Sequence, residues 1–103
     1  MKRLLSMAAA LIASAGVASA QEAGDAAAGK ALAEQYCSEC HNIAAGGAFK
    51  LYPPSFASIA AYYEPDIIRL RIMHTSNVLM PEFYKVMTPE NREDLTAFIL
   101  SLE

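Results

Sequence analysis

The sequence predicts an all-α domain with three main helices. Alanine is frequent after Asp25 and favours helix, and the last segment repeats apolar residues at intervals of three and four. No segment alternates apolar and polar residues as a half-buried strand does. The chain has 103 residues, which is enough for one hydrophobic core and therefore for one domain.

Each main helix starts at a residue that favours a helix N-terminus. The first is predicted over residues 25–37, the second over 65–75 and the third over 88–102, with a shorter helical piece over 56–63. Asp25 and Thr88 suit the N-cap positions of the first and last helices. Pro65 suits the first turn of the second helix. The apolar stripe of the last helix consists of Leu95, Phe98, Ile99 and Leu102.

Residues 1–20 are predicted to be a cleaved secretory signal peptide. A basic start at Lys2 and Arg3 precedes an apolar run, and Ala18-Ser19-Ala20 fits the small-x-small pattern before a signal-peptidase cut. The alternative is an uncleaved membrane anchor, but the run is shorter than the about 20 apolar residues that span a bilayer. The mature domain is then residues 21–103, and we expect it in the periplasm without a membrane span.

The charge of the mature chain argues against a nucleic-acid partner. Without residues 1–20 the chain has 83 residues, of which six are Lys or Arg and eleven are Asp or Glu, a net charge of −5 with neutral histidines. Nucleic-acid binding requires a cationic surface. A plain core of this size gives a domain only a few kcal/mol, so we expect a cofactor or a covalent staple.

Both cysteines lie in the motif Cys37-Ser38-Glu39-Cys40-His41. In a Cys-x-x-Cys-His motif the two thiols form thioether bonds to haem vinyl groups, and the histidine binds the iron. A dithiol redox centre is one alternative, but it is typical of a βαβ context. A zinc site is another, but it needs four ligands, and His74 is the only other histidine. The motif therefore predicts one covalently bound haem c per chain.

Met80 is predicted to be the second axial ligand of the iron, opposite His41. It precedes Pro81, which fixes the local backbone, and it lies in a non-helical stretch that can lay its thioether over the iron. A His–Met pair raises the potential and suits electron transfer, and a filled sixth position leaves no site for oxygen or substrate. The alternative ligands are Met73, Met87 and His74.

The chain resembles a small bacterial class I cytochrome c over residues 24–103. The segments that carry the resemblance are Gly29, the haem motif from Cys37 to His41, Met80-Pro81 and the stretch from Arg92 to Phe98. It implies a cytochrome c fold around one haem, in which the N- and C-terminal helices cross and Gly29 meets Phe98. It also implies that a proline carbonyl accepts a hydrogen bond from the ligand histidine. Pro54 matches that proline, and Pro53 is the alternative.

The expected function is electron transfer by a carrier that is not itself an enzyme. Its single haem would cycle between Fe(III) and Fe(II) while the protein meets a donor and an acceptor, in the small and weak encounters typical of redox partners. One alternative is the haem c subunit of a multi-subunit periplasmic dehydrogenase, whose partner holds the substrate site. Another is a ligand sensor, which needs an open or labile sixth position. We expect a monomer or a subunit of a redox complex.

Overall fold

The computed structural model describes residues 24–46, 52–75 and 77–103, and in these ranges the chain is helical. The elements are α1 (Ala26–Tyr36), α2 (Phe56–Tyr62), α3 (Pro65–Met73), a 3₁₀ helix (Phe83–Lys85) and α4 (Pro89–Leu100). None of these ranges contains a strand, so the predicted all-α class is confirmed. No helix in the described ranges has both the length and the apolar character that crossing a membrane requires. The predicted signal peptide lies outside the described residues.

Helix α1 crosses α4 at Gly29, and the residue before the α1 N-cap, Gly24, also lies against α4. A Cβ atom at Gly29 would lie 1.9 Å from the backbone oxygen of Asp94 and 2.8 Å from Cβ of Phe98. A Cβ atom at Gly24 would lie 2.0 Å from the backbone oxygen of Glu93. The backbones therefore approach more closely than any side chain permits. Gly29 meets Phe98 as the resemblance implies, and it lies closer still to the backbone of Asp94.

The helix starts follow the N-cap signals of the sequence. The side chain of Asp25 accepts hydrogen bonds from two backbone amides in the first turn of α1. Its own backbone N–H donates to Oδ1 of Asp94 at 2.8 Å, so α4 also fixes the beginning of α1. Thr88 and Asn91 form a capping box at the beginning of α4.

The core lies where α4 packs against the other helices. Most of its large side chains come from α2, α3, the 3₁₀ helix and α4. The buried apolar residues of the described ranges are Ala33, Cys37, Phe56, Ala60, Ile68, Ile72, Phe83, Met87, Leu95, Phe98 and Ile99. Outside the core, Nε of Arg69 on α3 donates to both carboxylate oxygens of Glu93 on α4, at 3.0 and 3.1 Å. This ion pair links the two helices at the surface.

Candidate haem site

The Cys-x-x-Cys-His motif begins where α1 ends. Cys37 is the C-cap of α1, and its N–H donates to the carbonyl oxygen of Ala33 at 2.9 Å. The chain then turns, so that the N–H groups of Cys40 and His41 donate to the carbonyl oxygen of Cys37 at 3.2 and 2.9 Å. The three residues of the motif that carry its chemistry therefore lie on one tight turn that is anchored to α1.

The two cysteines are not joined by a disulfide and lie in different environments. Cys37 is buried, with 7% of its surface exposed, whereas Cys40 is exposed. Burial raises the pKa of the Cys37 thiol to about 11, and the neighbouring Cys40 adds a smaller increase. A redox-active dithiol needs a thiol whose pKa is lowered, not raised. The environment of Cys37 therefore argues against a dithiol redox centre.

The imidazole of His41 is oriented by a carbonyl group. Nδ1 of His41 lies 2.6 Å from the carbonyl oxygen of Pro54, and Pro54 rather than Pro53 provides this oxygen. Since a carbonyl oxygen only accepts, Nδ1 carries the proton and the lone pair of Nε2 is available to a metal. The ring of Phe56 lies against the imidazole, with 5.4 Å between the ring centroids. Both contacts restrict the orientation of the ring.

The start of α2 holds Pro54 in place. Ser55 is the N-cap of α2 and is almost fully buried, and its hydroxyl accepts a hydrogen bond from the N–H of Ser58. The N–H of Phe56 donates to the carbonyl oxygen of Asn42 at 2.9 Å. This bond joins the start of α2 to the residue that follows His41, so the histidine and its acceptor are held by a short local network.

Met80 lies in the irregular segment between α3 and the 3₁₀ helix. Its side chain is partly buried and packs against the core. Its N–H donates to the carbonyl oxygen of Asn77 at 3.2 Å, which closes a turn. Met80 also lines an open cavity of about 430 Å³, whose walls come from side chains between Thr75 and Lys85.

The other candidate ligands have different settings. Met87 is buried in the core with 5% of its surface exposed, and Met73 is the last residue of α3 and packs against the core. The buried setting of Met87 is typical of a methionine that fills a gap between apolar side chains. Met73 packs against the core as Met80 does, but its backbone is fixed by α3. His74 is exposed, and its ring stacks on that of Tyr84 with 5.1 Å between centroids. Met80 alone among the four lines the cavity.

The donor groups fit a haem better than a zinc ion. Within residues 24–46, 52–75 and 77–103, no group of three or more His, Cys, Asp or Glu side chains is arranged to hold a metal ion. A closed zinc site needs such a group. The groups that are present are two free thiols, an imidazole with an available Nε2 and a thioether from a separate segment. Groups of these kinds attach and ligate a c-type haem.

Two residues near this site were missed by the sequence analysis. Nδ2 of Asn77 donates a hydrogen bond to the hydroxyl oxygen of Tyr52. Oδ1 of Asn77 accepts from the N–H of Leu79 at 2.9 Å. The one available signal was an asparagine, a turn-forming residue, three positions before Met80. Nothing in the sequence pairs it with Tyr52.

Comparison with known proteins places the chain in a family. The family model described as cytochrome c oxidase, cbb3-type, subunit III, matches residues 24–99. Searches of curated proteins and of solved structures found no significant match. The expected cofactor and fold are confirmed by the family match. The chain belongs to this family, and it is a small c-type cytochrome that carries covalently bound haem c and acts in electron transfer.

Proposed function

We propose that this cytochrome is a soluble periplasmic carrier that takes electrons from one protein and passes them to another. The haem supplies a reversible one-electron exchange between Fe(III) and Fe(II) when it is bound. The observation that supports this role most directly is the 2.6 Å hydrogen bond between His41 and Pro54. It leaves Nε2 free and makes the imidazole a stronger donor to iron.

Four side chains would hold the cofactor. Cys37 and Cys40 would form the two thioether bonds, and His41 and Met80 would be the axial ligands. The position of Met80 in an irregular segment, with a partly buried side chain, supports this choice over Met87, which is buried in the core. A thioether ligand stabilises the ferrous state and raises the potential, and it occupies the position where oxygen or a substrate would bind. Both effects suit a carrier rather than a catalyst.

The periplasmic location rests on the predicted signal peptide, residues 1–20, and on the chemistry of attachment. Two covalent bonds retain a haem in a compartment where a dissociated one would be lost. The net charge of −5 calculated for residues 21–103 disfavours a partner with a strongly acidic docking face, because like charges slow association.

The first test is the identity of the pigment. Protein expressed with a haem-attachment system should give the pyridine haemochrome spectrum of a c-type haem, and acid acetone should not extract the pigment. Cys40→Ser and His41→Ala should each abolish stable holoprotein, because each removes an attachment or ligand bond. A correctly processed sample that is colourless would refute the proposal.

The second test is the identity of the sixth ligand. Met80→Ala should keep the covalently bound haem but lose the weak thioether-to-iron absorption band near the red end of the spectrum. Met73→Leu is the matched control, and it should retain the band because Met73 lies in α3 and is not the proposed ligand. Retention of the band in Met80→Ala would move the assignment to Met87 or Met73.

A second candidate function is that of a haem c subunit in a larger periplasmic oxidoreductase, such as a dehydrogenase. The description of the matched family, a subunit of cytochrome c oxidase, favours it. Ile67 and Leu70 on α3 also expose 39% and 53% of their surfaces, and permanent interfaces are typically apolar. Gel filtration of protein from its native source separates the candidates, since a free carrier elutes at the size of one small domain.

A further inference from the structure

A side-chain hydrogen bond joins the segment that carries Met80 to the segment that orients His41. Nδ2 of Asn77 donates to the hydroxyl oxygen of Tyr52. Tyr52 lies two residues before Pro54, whose carbonyl oxygen accepts from His41. One three-residue segment therefore contacts the imidazole at one end and the turn before Met80 at the other.

Asn77 is also the centre of the turn that leads to Met80. Its Oδ1 accepts from the N–H of Leu79 at 2.9 Å, and its backbone carbonyl accepts from the N–H of Met80 at 3.2 Å. Its own N–H donates to Oγ1 of Thr75 at 3.0 Å. With the bond to Tyr52, four hydrogen bonds converge on one residue three positions before Met80. Asn77 therefore holds the backbone of the turn that leads to Met80.

The connecting segment resists bending. Residues 53 and 54 are both proline, and each proline ring fixes the backbone φ angle. Between Tyr52 and Pro54 only the ψ angles can rotate freely, so the segment absorbs less of a displacement of Tyr52 than an ordinary one would. The Tyr52 ring is also 60% exposed, so its hydroxyl group is not needed to fill the core.

We propose that Asn77 and Tyr52 are positioning residues, which set where the Met80 thioether lies relative to the His41 imidazole. The inference rests on the proposed function, in which these two side chains are the axial ligands. A ligand on a preorganised segment competes better with external ligands, because less freedom is lost when it binds. Loss of the Asn77–Tyr52 bond should therefore make Met80 easier to displace.

The test is the binding of imidazole to the ferric holoprotein. Tyr52→Phe removes one hydroxyl group and keeps the ring, and we expect imidazole to bind about two- to tenfold more tightly, the range that one lost hydrogen bond gives. The thioether-to-iron band should weaken in parallel. Tyr62→Phe is the matched control, because Tyr62 is 78% exposed and its hydroxyl has no hydrogen bond among the described residues. It should leave both readouts unchanged.

Variants of Asn77 test whether the two residues act through one bond. Asn77→Ala should tighten imidazole binding at least as much as Tyr52→Phe, and adding Tyr52→Phe to it should change nothing further. Asn77→Asp should restore binding to within about twofold of the wild type, because a carboxylate accepts from both the Tyr52 hydroxyl and the N–H of Leu79. Additive effects of the two substitutions would overturn the proposal.

Met80→Ala separates failure of this inference from failure of the proposed ligand set. If the band survives in Met80→Ala, Met80 is not the ligand and both proposals are overturned. If Met80→Ala loses the band while Tyr52→Phe behaves like Tyr62→Phe, the ligand assignment stands and the positioning role is refuted. Loss of the band in Met80→Ala together with the expected change in Tyr52→Phe supports both.

Discussion

Gly29→Ala should destabilise the holoprotein by forcing α1 away from α4. The new Cβ atom would lie 1.9 Å from the backbone oxygen of Asp94, so the helices must separate by about 1.5 Å to reach ordinary contact at 3.4 Å. Overpacking of this kind costs about 3 kcal/mol. The higher helix propensity of alanine offsets about 1 kcal/mol of this cost. The net loss of about 2 kcal/mol should lower Tm by roughly 8 to 16 °C in a domain of this size.

Thermal unfolding followed by far-ultraviolet circular dichroism measures this change. Ala31→Gly, at an exposed position of the same helix, makes the reverse substitution and measures the propensity term alone, about 1 kcal/mol. Adding Phe98→Leu to Gly29→Ala should not restore the lost stability, because the atom closest to the new Cβ is the backbone oxygen of Asp94. A Gly29→Ala protein that melts at or above the wild-type temperature would refute the reasoning.

Three further predictions concern the holoprotein and the haem-free chain. Thr88→Ala removes half of the capping box of α4 and should cost about 1 kcal/mol in denaturant unfolding; an unchanged midpoint would contradict the assigned cap. Arg69→Gln breaks the partly exposed pair with Glu93 and should cost less than about 1 kcal/mol. This cost should shrink in high salt, and a loss independent of salt would point to packing instead. A chain that lacks haem because both Cys37 and Cys40 are alanine should show little helical signal, and a cooperative melt would contradict this.

The starts of the helices were predictable because their signals are local. Asp25 and Thr88 are side chains that bond to amides two or three residues ahead, and Pro89 suits the first helical position. The end of α3 has no such signal, and the helix stops at Met73 rather than near Thr75. The 3₁₀ helix was missed because three residues form too little structure to leave a pattern.

In the candidate site, too, local features could be predicted from the sequence, and contacts between distant residues could not. The attachment motif is contiguous, so its chemistry is readable from its residue types. The contact between His41 and Pro54 spans 13 positions and was expected only through the family resemblance. The contact between Tyr52 and Asn77 spans 25 positions, and no periodicity or spacing rule pairs two polar side chains across two intervening helices.

The crossing of α1 and α4 has a consequence for the order of events in a newly made chain. Asp25 and Asp94 are 69 positions apart, so their contact forms only when both ends of the domain are present. Cys37 belongs to the same buried cluster as Leu95 and Phe98, and this cluster is incomplete until those residues are present. Before α4 packs onto the rest of the domain, Cys37 is therefore more accessible to covalent chemistry than it is in the finished fold, where it is buried while Cys40 stays exposed.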